Sequence, residues 1–336
     1  MDSESGIQIN SNQCLRIASK LQEMPVRPGF TGRPFLKYPL DTETRLSMLF
    51  YAVAICHQTR NLKSEKYQLS GWEYIEIVLL ELAIAHSYLL DSEKLANADS
   101  LKIASDLASA FSDNGNPDQT TLDSIAERVL LMKDTSQLVN SRFDGSFIAL
   151  TGNTGGFLLH NGEGLYELLS NSLTFSDPFR KKSSFLAKLM IDAGLFVVND
   201  RENYIPIMDY HMQRVLLRLG CVEVISTELH KLLSARTPVS TDEPVRLACI
   251  GAVTLISEYS GIDLWQMNDY FWTLGRSCCN ETTLCSDGFC SKNPCTFQSV
   301  ISIPAHRHCS FEYICTGFND IQTRSLWEPM VQTHYY

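Results

Sequence analysis

The sequence predicts a mainly α-helical protein. Three observations carry that expectation. Apolar residues recur with the 3.6-residue period of an amphipathic helix over most of the chain, strand signals are few, and turn-rich stretches punctuate the periodic segments. The expected architecture is several helices of moderate length joined by short loops.

Taken in order, "LSMLFYAVAICHQT" (46–59) and "GWEYIEIVLLELAIAHSYLL" (71–90) are strong helical stretches. "NADSLKIASDLASAFS" (97–112) and "TLDSIAERVLLMKD" (121–134) follow, separated by the turn-rich "DNGNPDQT". Thr121 or Asp123 is a candidate cap for the second of these. The glycines of "SRFDGSFIALTGNTGGFLLHNGEG" (141–164) predict a loop or short hairpin. Its spacing matches neither a Walker loop nor GxGxxG. The remaining segments, "EGLYELLSNSL", "KKSSFLAKLMIDAG", "DYHMQRVLLRLG", "VISTELHKLLSA", "DEPVRLACIGAVTLISEYSG" and "DLWQMNDYFWTLGRS", all carry the helical period.

A chain of 336 residues is long enough for one large domain or two modest ones. Three segments are expected: a helical region with a base-pocket segment (1–140), a catalytic helical region (141–276) and a cysteine-rich segment (277–336). No apolar run approaches the roughly 18–20 residues of a membrane helix. The polar N-terminus has no secretory pattern, so the cytoplasm is the expected compartment. The net charge of -10 opposes tight non-specific nucleic-acid binding, whose affinity comes from neutralising phosphates.

"DPFRKKSSFLAKLM" (177–190) is unusual. Asp177 and Pro178 read as a helix start, yet Arg180, Lys181 and Lys182 follow at the end where the backbone dipole disfavours cations. Such a run is either a solvated surface or a site for an anion or an activated amine. Phe185, Leu186, Leu189 and Met190 make an apolar face, and Lys181 and Lys188 share a face. Further on, Asp209 stands at the start of "YHMQRVLLRLG", where Val215, Leu216 and Leu219 mark the buried side. It is either a simple N-cap or a carboxylate kept ionised by helix-start amides.

Together these stretches resemble the helix-hairpin-helix DNA glycosylase superfamily, most nearly the archaeal 8-oxoguanine DNA glycosylases. The resemblance rests on an Asp-Pro-x-x-Lys element, a Phe and a second Lys after it, and a later Pro-x-x-Asp. It implies a two-lobed helical fold, with Lys181 on the nucleophilic lysine and Asp209 on the catalytic aspartate. Phe185 and Lys188 also match. "CHQTRNLKSEKYQLSGWEYI" (56–75) resembles the base-contacting segment and points to Gln58 and Trp72. Phe147 and His211 are further candidates for substrate contact. Lys182 stands where the family commonly has a small polar residue, so either lysine can be the nucleophile. The queuosine salvage hydrolases, which release queuine from a nucleoside 5′-phosphate, are a second likeness. It rests on "RFDGSFIAL", "MDYHMQRVLLRLG", "NDYFWTLGRS" and the terminal "HYY".

Both families imply hydrolysis of an N-glycosidic bond. Breaking it builds oxocarbenium character on the sugar. A carboxylate stabilises that charge and orients water, or a neutral lysine attacks C1′ and forms a Schiff base. The expected partner is DNA carrying a damaged or modified base, flipped into a pocket, in repair or in defence against modified phage DNA. The alternative is a 7-deazaguanine nucleotide, with the lysine on its 5′-phosphate. A non-catalytic nucleic-acid-binding module is a further alternative. Trp265, Tyr270 and Trp272 are further candidates for stacking.

Cysteine usage is uneven. Cys14, Cys56, Cys221 and Cys249 sit among apolar neighbours and read as small buried hydrophobes. The other seven of the 11 fall between 278 and 315. Cys278, Cys285, Cys309 and Cys315 have ligand-like spacings for an iron–sulfur cluster or zinc. Cys290 and Cys295 lie between them, and His306 or His308 could replace one cysteine. Arg307, His306 and Lys292 are nearby candidates for phosphate contact.

Overall fold

A computed structural model describes residues 6–24, 26, 30–290, 296–301 and 307–336. The chain is mainly helical, with 17 α-helices and two small antiparallel strand pairs among the described residues. No single described helix is long and apolar enough to cross a membrane. Two compact units form. One joins residues 1–30 to 205–332, and the other joins 31–204 to 333–336.

The first unit is built on helices Ser11–Gln22, Tyr210–Leu219, Glu243–Ser260 and Leu264–Ser277. Strand Ile7–Ile9 pairs with Val222–Val224, Ile7 opposite Val224 and Ile9 opposite Val222. Its core includes Cys14, Ile17, Leu216, Cys221, Cys249, Val253, Tyr270 and Phe271. Gly220 ends the Tyr210–Leu219 helix at φ +77, and its missing Cβ leaves room for the Thr316 side chain.

The second unit contains helices Thr42–Ala54, Trp72–Ile84, Ser100–Ala110, Ile125–Phe143 and Lys181–Asp192. Every residue from 46 to 54 in the first of these is buried, so it is the central element of this unit. Asp41 caps it, accepting from the Thr44 N–H at 2.9 Å.

Several boundaries depart from the expectations. The 46–59 stretch stops being helical after Ala54, because side chains from elsewhere take its last carbonyls: Lys182 Nζ donates to Ala54 O at 2.7 Å and Arg128 donates to Ile55 O. Neither Thr121 nor Asp123 caps the next helix, which starts at Ile125. Asp123 instead accepts from Arg128 through both its main-chain oxygen and its carboxylate. Thr121 Oγ1 donates to Lys63 O. The 141–164 stretch is no hairpin. The preceding helix runs to Phe143, Asp144 and Gly145 turn the chain at positive φ, and a helix follows at Phe147–Asn153. Glu43 makes that second start possible. Its carboxylate accepts from Ser146 Oγ at 3.1 Å, Phe147 N at 2.5 Å and Ile148 N at 3.0 Å. These are the amides a helix leaves unpaired at its N-terminus.

Glu43→Ala is therefore expected to lower unfolding stability by about 1 kcal/mol, the scale of a lost helix cap. Urea denaturation of the two proteins measures the difference, and an unchanged midpoint contradicts this account.

Candidate active site

The run Arg180-Lys181-Lys182 is not a solvated surface. Lys181 is 6% exposed and Lys182 0%. The helix begins only at Lys181, because Arg180 adopts the left-handed conformation, φ +55. Asp177 and Pro178 therefore lie in a turn before the helix. The Asp177 carboxylate accepts from Phe179 N at 3.1 Å and Lys181 N at 2.8 Å. This holds the backbone of the lysine pair in place.

Lys181 Nζ lies 3.5 Å from Cys56 Sγ and 5.2 Å from the centre of the Phe185 ring. Phe185 meets Trp72 edge-on at 4.6 Å. Trp72 donates its indole N–H to Glu76 at 2.7 Å, and Arg33 grips the same carboxylate with both oxygens 2.8 Å away. Lys181, Phe185 and Trp72 thus form a chain of contacts held by a charged clamp. Gln58 belongs to the same segment as Cys56. It stands at φ +49, and its main-chain and side-chain N–H groups both donate to Tyr336 O.

Lys182 points the other way, into the unit. Burial pushes its ammonium down to about 7; Lys181 and Arg128 add repulsion, and Cys56 opposes it. His57 is fully buried and held neutral by burial and by Lys182 and Arg128. Its Nε2 lies 3.1 Å from Glu127, while Nδ1 has no hydrogen-bond partner. A neutral imidazole that donates from Nε2 has only an acceptor at Nδ1. His334, from the 333–336 segment, accepts the repulsion of Lys182 as well, and its pKa is lowered, first by burial. Arg180 stacks over Tyr166 at 5.2 Å, and its Nη1 is buried without a hydrogen-bond partner.

Lys188 and Phe147 take other roles. Lys188 Nζ is 2.7 Å from Asp192 in a buried ion pair, so its charge is already matched. Phe147 is 1% exposed and packs against Phe50 at 4.7 Å and Tyr51 at 5.7 Å, in the core.

Asp209 belongs to the other unit and is described in its own surroundings. It is the N-cap of Tyr210–Leu219, accepting from Met212 N at 3.0 Å, and is 7% exposed. The cap is thus also a buried carboxylate, with Val215, Leu216 and Leu219 on the buried face. His211 Nδ1 is 3.0 Å from Arg214 Nη2 and its ring lies 4.2 Å from Tyr210. Arg214 in turn meets Glu328 at 2.8 Å in a buried pair. Tyr270 is fully buried in the core, while Trp272 meets Phe30 and His211 edge-on.

Cys309 lies within electrostatic reach of Cys279, Cys285 and Cys315. No group of three or more His, Cys, Asp or Glu among the described residues is arranged to hold a metal. Cys285 donates to Thr283 Oγ1 and Cys315 to Arg218 O, while Cys278 accepts from Ser277. Burial pushes the Cys309 thiol up, and the Cys315 thiol up to about 12. Cys290 donates its main-chain N–H to Arg307 O, Arg307 stacks on Phe289, and His308 lies 2.8 Å from Gly288 O. Lys292, Cys295 and His306 lie outside the described residues.

Cys56, His57, Glu127 and Arg128 were not singled out as a cluster by sequence reasoning. The only signal was adjacency of Cys56 and His57 to Gln58 in "CHQTR". Comparison of the chain with protein-family models and with curated proteins gives no match.

Lys182 generates a test with a definite sign. Its folded pKa lies below the unfolded value, so the fold disfavours the protonated form. The penalty is full below about pH 7 and is relieved as pH rises toward the unfolded value near 10.5. Lys182→Met is expected to remove this slope, so that its stability relative to the wild type is higher at pH 6 than at pH 9, while the lost hydrogen bond to Ala54 O lowers it at both. Denaturant midpoints of both proteins across that range measure it.

Proposed function

We propose that this chain is an N-glycosyl hydrolase that releases a deazaguanine base from a nucleoside 5′-phosphate. The observation that carries the choice of substrate is the burial of Lys181 and Lys182, 6% and 0% exposed. Contacts to a DNA backbone come from cations displayed along a surface. A recessed amine beside a guanidinium with one unpartnered nitrogen, Arg180 Nη1, suits a single phosphate group. The net charge of -10 points the same way.

In this reading Asp209 supplies the carboxylate. It stabilises positive charge developing at C1′ and orients the attacking water. Lys181 contacts the 5′-phosphate, and Trp72 contributes an aromatic surface for the base. Gln58, with donors and an acceptor on one amide, reads a base edge. The reading carries with it the two-lobed helix-hairpin-helix glycosylase fold. It requires neither an iron–sulfur cluster nor zinc.

A DNA glycosylase acting on a damaged or modified base is the second reading, favoured by one observation. An amine with a pKa of about 7 at Lys182 adjoins Lys181, and a lysine must be neutral to form a Schiff base.

Base release from free 7-deazaguanine nucleoside 5′-phosphates, and from duplexes carrying modified bases, separates the two. Release from the free nucleotide is expected, reduced about 100-fold or more in Asp209→Asn. Asn caps a helix as well as Asp does, so the loss reports the charge. Release from duplex, with a borohydride-trapped adduct lost in Lys181→Gln, would establish the second reading. No release from any substrate overturns both.

A further inference from the structure

The contact between Lys181 and Cys56 is not used by the proposed reaction. Its two atoms, Nζ and Sγ, lie 3.5 Å apart, and their residues are 6% and 8% exposed. Both ends are fixed. Asp177 accepts from the Lys181 main-chain N–H, and Cys56 follows the helix end that Lys182 and Arg128 hold. Lys182 and Arg128 are both within electrostatic reach of Cys56. The thiolate is the form of a cysteine that reacts with oxidants. Cys56 is therefore not simply a small hydrophobe in an apolar setting.

We infer that Cys56 and Lys181 form a reversible oxidative cross-link, a sulfenamide, when the protein meets hydrogen peroxide. The Cys56 thiolate attacks one peroxide oxygen and the O–O bond breaks. The departing hydroxide takes a proton from the Lys181 ammonium and leaves as water. The sulfur has lost two electrons to the peroxide and is now a sulfenic acid, and the amine beside it is neutral. Sulfenic acids condense with a nearby nitrogen. The Lys181 lone pair attacks sulfur, the S–O bond breaks, and hydroxide leaves as a second water with a proton from the amine. The sum is thiolate, ammonium and one peroxide giving an S–N bond and two waters. A dithiol reductant attacks the sulfur and breaks the S–N bond, freeing the amine and leaving a mixed disulfide, and its second thiol displaces Cys56 from that disulfide.

A free lysine at this position would leave an oxidised Cys56 open to further, irreversible oxidation. The cross-link protects the thiol and withdraws the amine at the same time. Where Lys181 serves the substrate, the bond also switches the enzyme off; that consequence alone rests on the proposed function.

The full-length protein is treated with about one to two equivalents of hydrogen peroxide, quenched and digested without reductant. The expected product joins the peptide carrying Cys56 to the one carrying Lys181, about 2 Da below their summed mass, and dithiothreitol abolishes it. Cys56→Ser is expected to lose the product. In Lys181→Arg, whose side chain differs little in size, Cys56 should instead be captured by dimedone as its sulfenic acid. The inference is overturned if Cys56 reacts equally with dimedone in the wild type and Lys181→Arg. It is also overturned if the wild-type mass loss maps only to disulfides among other cysteines. Base release, measured alongside, should fall on oxidation, recover with dithiothreitol, and resist peroxide in Cys56→Ser. A cross-link that forms without loss of base release supports the inference and overturns the role given to Lys181 in catalysis.

Discussion

A helix that ends inside a protein leaves carbonyl groups that water cannot reach. The Thr42–Ala54 helix ends this way, and two long cationic side chains from elsewhere in the unit meet it. Lys182 reaches Ala54 O and Arg128 reaches Ile55 O. The arrangement is favourable for the dipole, whose negative end lies at the last carbonyls. It is costly for the cations, because both are fully buried. Arg128 is offset by Asp123, 2.9 Å away, whose side chain remains 43% exposed. Lys182 answers the cost through its pKa, which burial brings down to about 7.

Much of the candidate site is a consequence of that one junction. The chain leaving the helix carries Cys56, His57 and Gln58, and each is positioned by what holds the helix end. Cys56 meets Lys181, the neighbour of the capping lysine. His57 is enclosed among the same cations, which with burial keep it neutral and leave its Nδ1 without a donor. Gln58, at φ +49, donates to Tyr336 O. The three cations that open the 181–192 helix against its dipole therefore have a structural account at one position. Lys182 serves a neighbouring helix's C-terminus more than its own N-terminus, leaving Arg180 and Lys181 for chemistry.

Most of the longer helices were legible in the sequence, because an apolar face recurs at the 3.6-residue period; the Ser11–Gln22 helix was not among those read. Three misread turns and caps share a cause. The 141–164 glycines do mark turns, at Asp144 and Gly145, but a carboxylate about a hundred residues earlier, Glu43, makes a new helix start there. Asp123 looks like a cap and is drawn instead to Arg128. Asp177 looks like a cap and holds a turn one step upstream. In each case a polar side chain had two local uses, and a distant partner selected between them.

The candidate residues divide in the same way. Asp209 was readable as a helix-start carboxylate because capping is local: the donor is three residues away. Lys181, Phe185 and Lys188 were readable as a spacing on one helix. What each touches was not. Lys188 is paired with Asp192, Phe147 lies in the core, and among the described residues no group of cysteines is arranged to hold a metal. The amino-acid sequence by itself determined the helical class, most of the helices and the Asp209 cap, since periodicity and capping act over a few residues. Only the tertiary structure decided that the lysine pair is buried, that Cys56 lies against Lys181 and that His57 is enclosed among cations. Burial and the meeting of side chains far apart in the chain depend on how the helices pack, and no local pattern encodes that packing.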